Sequence, residues 1–117
     1  MKTKLKLKKM YFHARHGILP HERETGNDFE VSLTLTADLT AACQSDKLED
    51  TINYADTYNL VKEEMETPSG LIEHVACRIL RKIKTHHPQL TAVKVKVAKL
   101  HPPTDGRMER AEVTVTA

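Results

Sequence analysis

The chain has no tryptophan and few aromatic residues: among 117 residues only two are Phe and three are Tyr. The core must therefore be aliphatic, and a chain of this length is long enough to bury a modest one. Only two cysteines occur, Cys43 and Cys77, and they form no CxxC pair. Their spacing argues against a zinc knuckle or a disulfide framework and suits the reducing cytoplasm, where we expect the protein to work.

Neither charge sign dominates, since the net charge is +2 and acidic and basic residues are well mixed. This balance gives no case for nucleic acid or an anionic membrane as a partner. No apolar run approaches the length of a membrane span, and no signal peptide is indicated. Because repeats, low-complexity segments and linkers are also lacking, we expect a single domain over residues 1–117.

The sequence motifs of several large enzyme classes are missing, including the Walker sequence, GxGxxG and GxSxG. His13 and His16 have HxxH spacing, but no third ligand accompanies them at metal-binding distance along the chain. We therefore expect neither a metal site nor a cofactor. His86 and His87 come just before Pro88, so we expect them to serve the end of a helix.

Four segments with a period of two predict strands, at residues 4–12, 29–39, 91–99 and 110–116. In the first of them the apolar phase shifts, which predicts a bulge near Lys8 and Lys9. The connection over residues 13–27 contains Gly17 and Pro20. Connections of this length without structure of their own are often functional.

Two segments between the second and third strands predict helices. Asn53 is a helix N-cap, followed by an apolar stripe of Tyr54, Tyr58, Val61 and Met65. Residues 67–70 end this helix, and Pro68 is expected at or near the first position of the next one. The second helix carries its own stripe of Ile72, Ala76, Ile79 and Ile83.

The order ββααββ predicts an α+β fold in which both helices cover one face of a four-stranded antiparallel sheet. The opposite face would be polar, with Ser32, Thr34, Thr36, Lys94, Lys96, Glu112, Thr114 and Thr116. Such a face can lie in water, or it can line a barrel that several subunits close together.

Lys99 is the strongest candidate for a catalytic residue. It follows Val93, Val95 and Val97 in strand phase, so its amine points towards the apolar face. Desolvation lowers the pKa of an amine, and such an amine can exchange protons near neutral pH. The alternative is that the strand frays and Lys99 extends into water.

Three further residues attract attention by their positions. Glu22 lies in the constrained connection, where it can also be one half of a solvated ion pair with Arg23. Tyr54 lies in the first turn of a helix, which favours a phenol carrying negative charge, although it can equally cap the core stripe. Glu73 lies at the margin of an apolar stripe, and its two oxygens match two parallel N–H donors.

In order along the chain, these segments resemble dihydroneopterin aldolases of the tunnelling-fold superfamily. The matching pieces are His16-Gly17-x-Leu19-Pro20-x-Glu22-Arg23 with Gly26 and Phe29, Ser45-Asp46, Asp50-Thr51-x-Asn53-Tyr54-Ala55, Leu71-Ile72-Glu73-His74, and Lys99 with Pro102-Pro103. Three positions depart from the family pattern: Asn27 replaces a frequent Gln, His21 a common Glu, and Leu100 a frequent Pro.

The resemblance implies a folate-pathway lyase that cleaves 7,8-dihydroneopterin by a retro-aldol reaction. It implies that Glu73 and the backbone of Ile72 bind the pterin, that Lys99 moves protons, and that Glu22 and Tyr54 assist. It also implies a ring of four subunits, commonly stacked as an octamer, with Tyr54 supplied by a neighbouring subunit.

Three alternatives remain open at this point. An epimerase acting on dihydroneopterin or its triphosphate would use the same scaffold, with Arg15, Arg23 or Arg107 as candidate phosphate ligands. A sheet binding nucleic acid through its lysines would need exposed aromatic residues for base stacking, and the polar strand positions offer none. A pterin-binding protein without catalysis is the third alternative.

Overall fold

The computed structural model describes residues 1–117 and contains one antiparallel sheet of four strands in the order β1-β2-β3-β4. The strands are β1 (Thr3–Ala14), β2 (Asn27–Ala37), β3 (Ala92–Lys99) and β4 (Ala111–Thr116). Each pairs antiparallel with the next, so β1 and β4 form the two edges. The predicted strands are therefore confirmed, with small shifts at their ends.

The helices are α1 (Pro20–Glu24), α2 (Thr40–Ser45), α3 (Tyr54–Glu66) and α4 (Ile72–His86), with a short 3₁₀ turn at Leu48–Asp50. Helices α3 and α4 lie between β2 and β3 in the chain and pack on the sheet, α3 against β1 and α4 against β3 and β4. The expected order of the main elements is confirmed. The sequence analysis missed α1, which begins with Pro20 in the first helical turn, where its missing N–H costs nothing.

The bulge in β1 lies where the phase shift predicts it. Leu7 pairs with Leu33 and Met10 pairs with Val31, so two lysines, Lys8 and Lys9, face the single residue between. Lys9 has a φ of 53°, in the left-handed region that costs a residue with a side chain about 1–2 kcal/mol. This extra residue restores the apolar phase of β1 on the core side.

Helix α3 begins as predicted but turns a different face to the core. The side chain of Asn53 accepts hydrogen bonds from the N–H groups of Ala55 and Asp56. Val61 and Met65 are buried, whereas Tyr54 is 65% exposed. The predicted stripe was thus wrong at its first two positions, because Tyr58 is exposed as well and Thr57, which is fully buried, faces the core in that turn instead.

Helix α4 packs one apolar side on the sheet, through Val75, Ala76, Ile79 and Ile83. Pro68 was expected at or near its first position, but the helix begins at Ile72 with Leu71 as N-cap. The expectation for the histidines is confirmed, since His86 ends the helix and His87 caps it. The Nε2 atom of His87 lies 3.3 Å from the hydroxyl of Thr57, which links the end of α4 to α3.

The core is a cluster of 20 buried apolar residues between the helices and one face of the sheet. The opposite face of the sheet carries the predicted polar side chains, of which Thr36 alone is buried. No helix of this chain is both long and apolar enough to cross a bilayer.

Candidate active site

A cleft of about 350 Å³ opens where three distant segments of the chain meet. One wall is the connection after β1, another is the start of α4, and the third is the end of β3 with the residues that follow. Four of the five predicted site residues line this cleft, namely Glu22, Ile72, Glu73 and Lys99. A volume of this size suits a small, drug-sized ligand.

An ion pair between Lys99 and Glu22 lies inside the cleft. The Nζ atom of Lys99 donates a hydrogen bond to Oε2 of Glu22 at 2.5 Å, and their side chains are 13% and 3% exposed. The strand continues to Lys99, so the prediction from strand phase is confirmed and the frayed alternative was wrong. The alternative of a solvated loop glutamate was also wrong, because Glu22 is a buried residue of α1.

The carboxylate of Glu22 is ionised despite its burial. Burial by itself would raise the pKa of Glu22, but the hydrogen bond and charge of Lys99 outweigh it, together with the N–H of Leu19. The net result is a pKa below the ordinary value.

Gly17 makes room for the Glu22 side chain. A Cβ atom on Gly17 would lie 2.4 Å from Cδ of Glu22, closer than real Cβ contacts allow. Arg23 does not pair with Glu22, because its Nε atom donates to the carbonyl of Gly17 at 2.8 Å. Two contacts therefore fix the backbone between Gly17 and Glu22: the close approach of the Glu22 side chain to Gly17 and the hydrogen bond from Arg23.

A pair of hydrogen bonds joins the connection after β1 to the segment before α4. The N–H of Gly17 donates to the carbonyl of Ser69 at 2.9 Å, and the N–H of Ser69 donates to Nδ1 of His16 at 3.0 Å. Since Glu22 follows Gly17 and the start of α4 follows Ser69, these two bonds set the spacing between two walls of the cleft. We call them the Gly17–Ser69 clasp.

The histidine in the clasp is fully buried and packs edge-on against Phe29, with ring centroids 5.1 Å apart. Burial, followed by the charges of Arg78, Lys99 and Arg23, lowers the pKa of His16 to about 4. His16 is therefore neutral near pH 7. With Nδ1 accepting a hydrogen bond, the ring proton lies on Nε2.

Arg78 supports the same segment from α4. It donates to the hydroxyl of Ser69 at 2.8 Å and to the carbonyl of Thr67 at 2.7 Å, and it pairs with Glu64 at 3.0 Å. Sequence reasoning missed this role and that of His16. Arg78 gives no local signal, since its partners lie in another helix and in the turn before α4.

Glu73 lies in the first turn of α4 with its side chain exposed to the cleft. It forms no hydrogen bond or ion pair within the chain, so both carboxylate oxygens are open to a ligand. The positive end of the helix dipole stabilises an anion at this position. Ile72 precedes it and is half-buried against the core.

Tyr54 is the one predicted site residue that the structure does not bring to this cleft. It is the first residue of α3, and its ring is exposed. None of the three candidate phosphate ligands, Arg15, Arg23 and Arg107, lines the cleft either. The two histidines with HxxH spacing lie apart: His13 contacts Asp28 at 2.9 Å, whereas His16 is buried in the clasp.

One departure from the family pattern has a structural role. Asn27 is buried, and its Nδ2 atom donates to the carbonyl of His101 at 2.7 Å. The N–H of Leu100 donates to the carbonyl of Asp28 at 2.9 Å. These two bonds hold the chain after Lys99 against the start of β2.

Sequence comparison now identifies the family. A family model described as dihydroneopterin aldolase matches residues 5–116. The chain belongs to the dihydroneopterin aldolase family. The dihydroneopterin aldolase of Staphylococcus epidermidis is 39% identical over 107 residues, which cover 91% of this chain and 88% of that protein. That of Bacillus subtilis is 36% identical over 108 residues, with 92% and 90% covered.

Solved structures of dihydroneopterin aldolases share the fold. The Escherichia coli enzyme in complex with neopterin superimposes with a TM-score of 0.89 at 19% identity, covering 98% of both chains. The Burkholderia protein bound to guanine gives a TM-score of 0.79 at 18% identity, covering 99% of this chain and 90% of that one. The expected α+β tunnelling fold is confirmed. As a dihydroneopterin aldolase, this chain is a lyase of folate biosynthesis, and the epimerase alternative is not favoured.

Proposed function

We propose that the cleft binds 7,8-dihydroneopterin, that Glu73 binds the pterin ring, and that Lys99 transfers protons with the help of Glu22. The observation that carries this proposal is the buried Lys99–Glu22 pair, which faces the same cleft as the free carboxylate of Glu73. The neopterin complex of the Escherichia coli relative supports a pterin as the ligand.

Glu73 anchors the flat end of the pterin. A pterin presents an amino group and an adjacent ring N–H side by side, and two carboxylate oxygens can accept both bonds at once. The backbone of Ile72 lies beside this anchor and completes the edge contact. The ring then extends towards the Lys99–Glu22 pair at the other wall.

The reaction needs only proton movement from the protein. Loss of the proton from the C2′ hydroxyl breaks the C1′–C2′ bond and releases glycolaldehyde, and the electrons pass into the C6=N5 imine of the dihydropterin. This imine is the electron sink that other aldolases obtain from a lysine Schiff base or a metal. C1′ then takes up a proton and gives 6-hydroxymethyl-7,8-dihydropterin. Lys99 is the proton donor and acceptor, in part through water, and Glu22 positions it and binds the substrate side chain.

Tyr54 joins the site from a neighbouring subunit. Its ring is exposed outside the cleft of its own chain, and exposed apolar side chains, Ile18 and Leu71, border the cleft. The two edge strands, β1 and β4, each have one unpaired edge in the single chain, and ring closure between subunits would cover these edges. We propose a homo-oligomer, a ring of four or two such rings stacked, working in the cytoplasm, where the two free thiols stay reduced.

The first test is incubation of the purified protein with 7,8-dihydroneopterin in the presence of a chelator, with chromatographic analysis of the pterins. We expect hydroxymethyl-dihydropterin and glycolaldehyde. Formation of the inverted triol alone would assign an epimerase. Binding of the substrate without any product would assign a pterin-binding protein.

Two variants test the roles within the cleft. Lys99→Ala should abolish turnover and largely spare pterin binding, while Lys84→Ala, a change on the exposed side of α4, serves as the matched control. Glu73→Gln should weaken pterin binding by a factor of ten or more, because its paired acceptor is lost. Unchanged turnover in the first variant, or unchanged affinity in the second, contradicts the assigned role.

A mixing experiment tests the shared site. Tyr54→Phe and Lys99→Ala are each expected to be nearly inactive. When equal amounts of the two variants exchange subunits, an intact shared site needs Lys99 from a Tyr54→Phe subunit and Tyr54 from a Lys99→Ala neighbour. About a quarter of the sites meet both conditions, so about a quarter of wild-type activity should return. If no activity returns although mixed oligomers have formed, Tyr54 and Lys99 do not act in one site between subunits.

A further inference from the structure

A second cavity, of about 360 Å³, lies on the face of the sheet that the helices leave open. It is separate from the catalytic cleft, because the two lie on opposite sides of the sheet. Lys94 and Lys96 alternate with the buried valines of β3 and face away from the core, whereas Lys99 is in phase with those valines. Five lysines surround this cavity, namely Lys6, Lys8, Lys9, Lys94 and Lys96. We call it the lysine groove.

The strand register arranges the lysine groove symmetrically around β2. Thr34 pairs with Lys6 on one side and with Lys94 on the other. Ser32 pairs with Lys96 on one side and meets the bulge of β1 on the other, where two lysines face it. Neighbouring strands lie about 4.8 Å apart, so lysines on either side of β2 have Cα atoms about 10 Å apart and can reach over the middle.

The floor of the lysine groove offers hydroxyl donors. The hydroxyl oxygen of Ser32 accepts the backbone N–H of Lys9 at 3.0 Å, so its own O–H is free to donate into the groove. Thr34 makes no side-chain hydrogen bond within the chain and is only half-buried. Two hydroxyl donors therefore lie between two rows of ammonium groups.

The positive charge in the lysine groove has almost no internal compensation. Only Lys96 has an acidic partner, Glu112 at 3.5 Å, and that pair is partly exposed. Like charges gathered across neighbouring strands destabilise a sheet. Lysines on an edge strand can be explained as protection against aggregation. Lys94 and Lys96 lie on β3, an interior strand, so edge protection does not explain why they are there.

We propose that the lysine groove binds a multiply charged phosphate anion of the di- or triphosphate class. Several ammonium groups and two hydroxyl donors match the many acceptor oxygens of such an anion, and charge-assisted hydrogen bonds of this kind are strong. None of the groove residues is aromatic, so the groove lacks the stacking platforms of a nucleic-acid site. One chain forms the whole groove without ring closure, and in the proposed ring the groove would face the lumen.

The test is calorimetric titration of inorganic triphosphate into the full chain at constant ionic strength, with chelator present. The double variant Lys94→Gln/Lys96→Gln should bind at least tenfold more weakly. The matched control Lys62→Gln/Lys84→Gln changes two exposed helical lysines and should bind within twofold of wild type. Aldolase turnover and oligomer size should stay unchanged in both, which separates this result from any failure of the catalytic assignment.

Several outcomes would overturn the proposal: no binding by the wild type, equal weakening in both double variants, or equal competition by sulfate at the same ionic strength. Tighter binding of a single-stranded oligonucleotide than of triphosphate, lost in the groove variant, would also overturn it in favour of nucleic acid. Equal affinity for inorganic and nucleoside triphosphates supports recognition of phosphate alone. Tighter binding of the nucleoside form supports a nucleotide as the source of that phosphate.

Discussion

Protonation of His16 should control the acid stability of this protein. The ring is fully buried, and its pKa is lowered to about 4, first by burial and then by nearby positive charges. In the unfolded chain a histidine has a pKa of about 6.5. Between these two values the unfolded state binds more protons than the folded state, so stability falls as the pH decreases through this window. The contribution is fully present above about pH 6.5.

The size of the effect follows from the difference between the two pKa values. A pKa difference of about two and a half units corresponds to about 3 kcal/mol, since each pKa unit is worth about 1.4 kcal/mol. That is a large part of the 5–15 kcal/mol or so that stabilises a typical domain. Protonation of Nδ1 also removes the acceptor for the N–H of Ser69, so the Gly17–Ser69 clasp loosens as part of the same effect.

The assay is urea unfolding of the wild type and His16→Asn at one fixed protein concentration, from about pH 7.5 down to about pH 4. The amide oxygen of Asn can replace Nδ1 as the acceptor for Ser69 but does not titrate. Over this range we expect the wild type to lose about 3 kcal/mol more than His16→Asn. The control is His21→Asn, an exposed position on α1, which should follow the wild type. Parallel profiles of wild type and His16→Asn would refute the reasoning.

Two further predictions concern the backbone. Gly17→Ala places a Cβ atom on Glu22, so it should cost about 1–3 kcal/mol and reduce kcat/KM at least tenfold, as measured by urea unfolding and steady-state kinetics. Gly106→Ala, with no atom within 4 Å of the added Cβ, is its control, and equal behaviour of the two variants would contradict the argument. Lys9→Gly relieves a left-handed residue and should raise the free energy of unfolding by about 1 kcal/mol, whereas Lys8→Gly should lower it by about 0.5–1 kcal/mol. A loss of stability in Lys9→Gly would show that its φ is not strained.

Local patterns predicted the parts of the structure that depend on local geometry. Strand alternation is a property of the backbone itself, so it placed Lys99 on the core face and the bulge at Lys8 and Lys9. The cap at Asn53 was equally visible, because its partners are the next residues in the chain. These features need no knowledge of what packs against them.

Features that depend on distant partners could not be predicted from the residues alone. Periodicity assigned Tyr54 to the core stripe, but helix α3 turns Thr57 inwards, where its hydroxyl meets the cap of α4. The burial of Glu22 depends on Lys99, and the burial of His16 depends on Ser69. Resemblance to the family supplied the residues of the cleft, but it did not reveal the clasp that spaces its walls.

The separation of Lys99 and Glu22 along the chain determines when their ion pair can form during synthesis. The two residues are 77 positions apart, so a growing chain carries Glu22 long before β3 leaves the ribosome. Removing one partner of a buried ion pair costs about 3–5 kcal/mol, because the remaining charge has no counter-ion. A chain that lacks Lys99 would leave the Glu22 carboxylate without its counter-ion, so we expect the segment from Gly17 to Glu22 to stay open. The ion pair thus makes closure of this segment a late step, which follows the synthesis of β3.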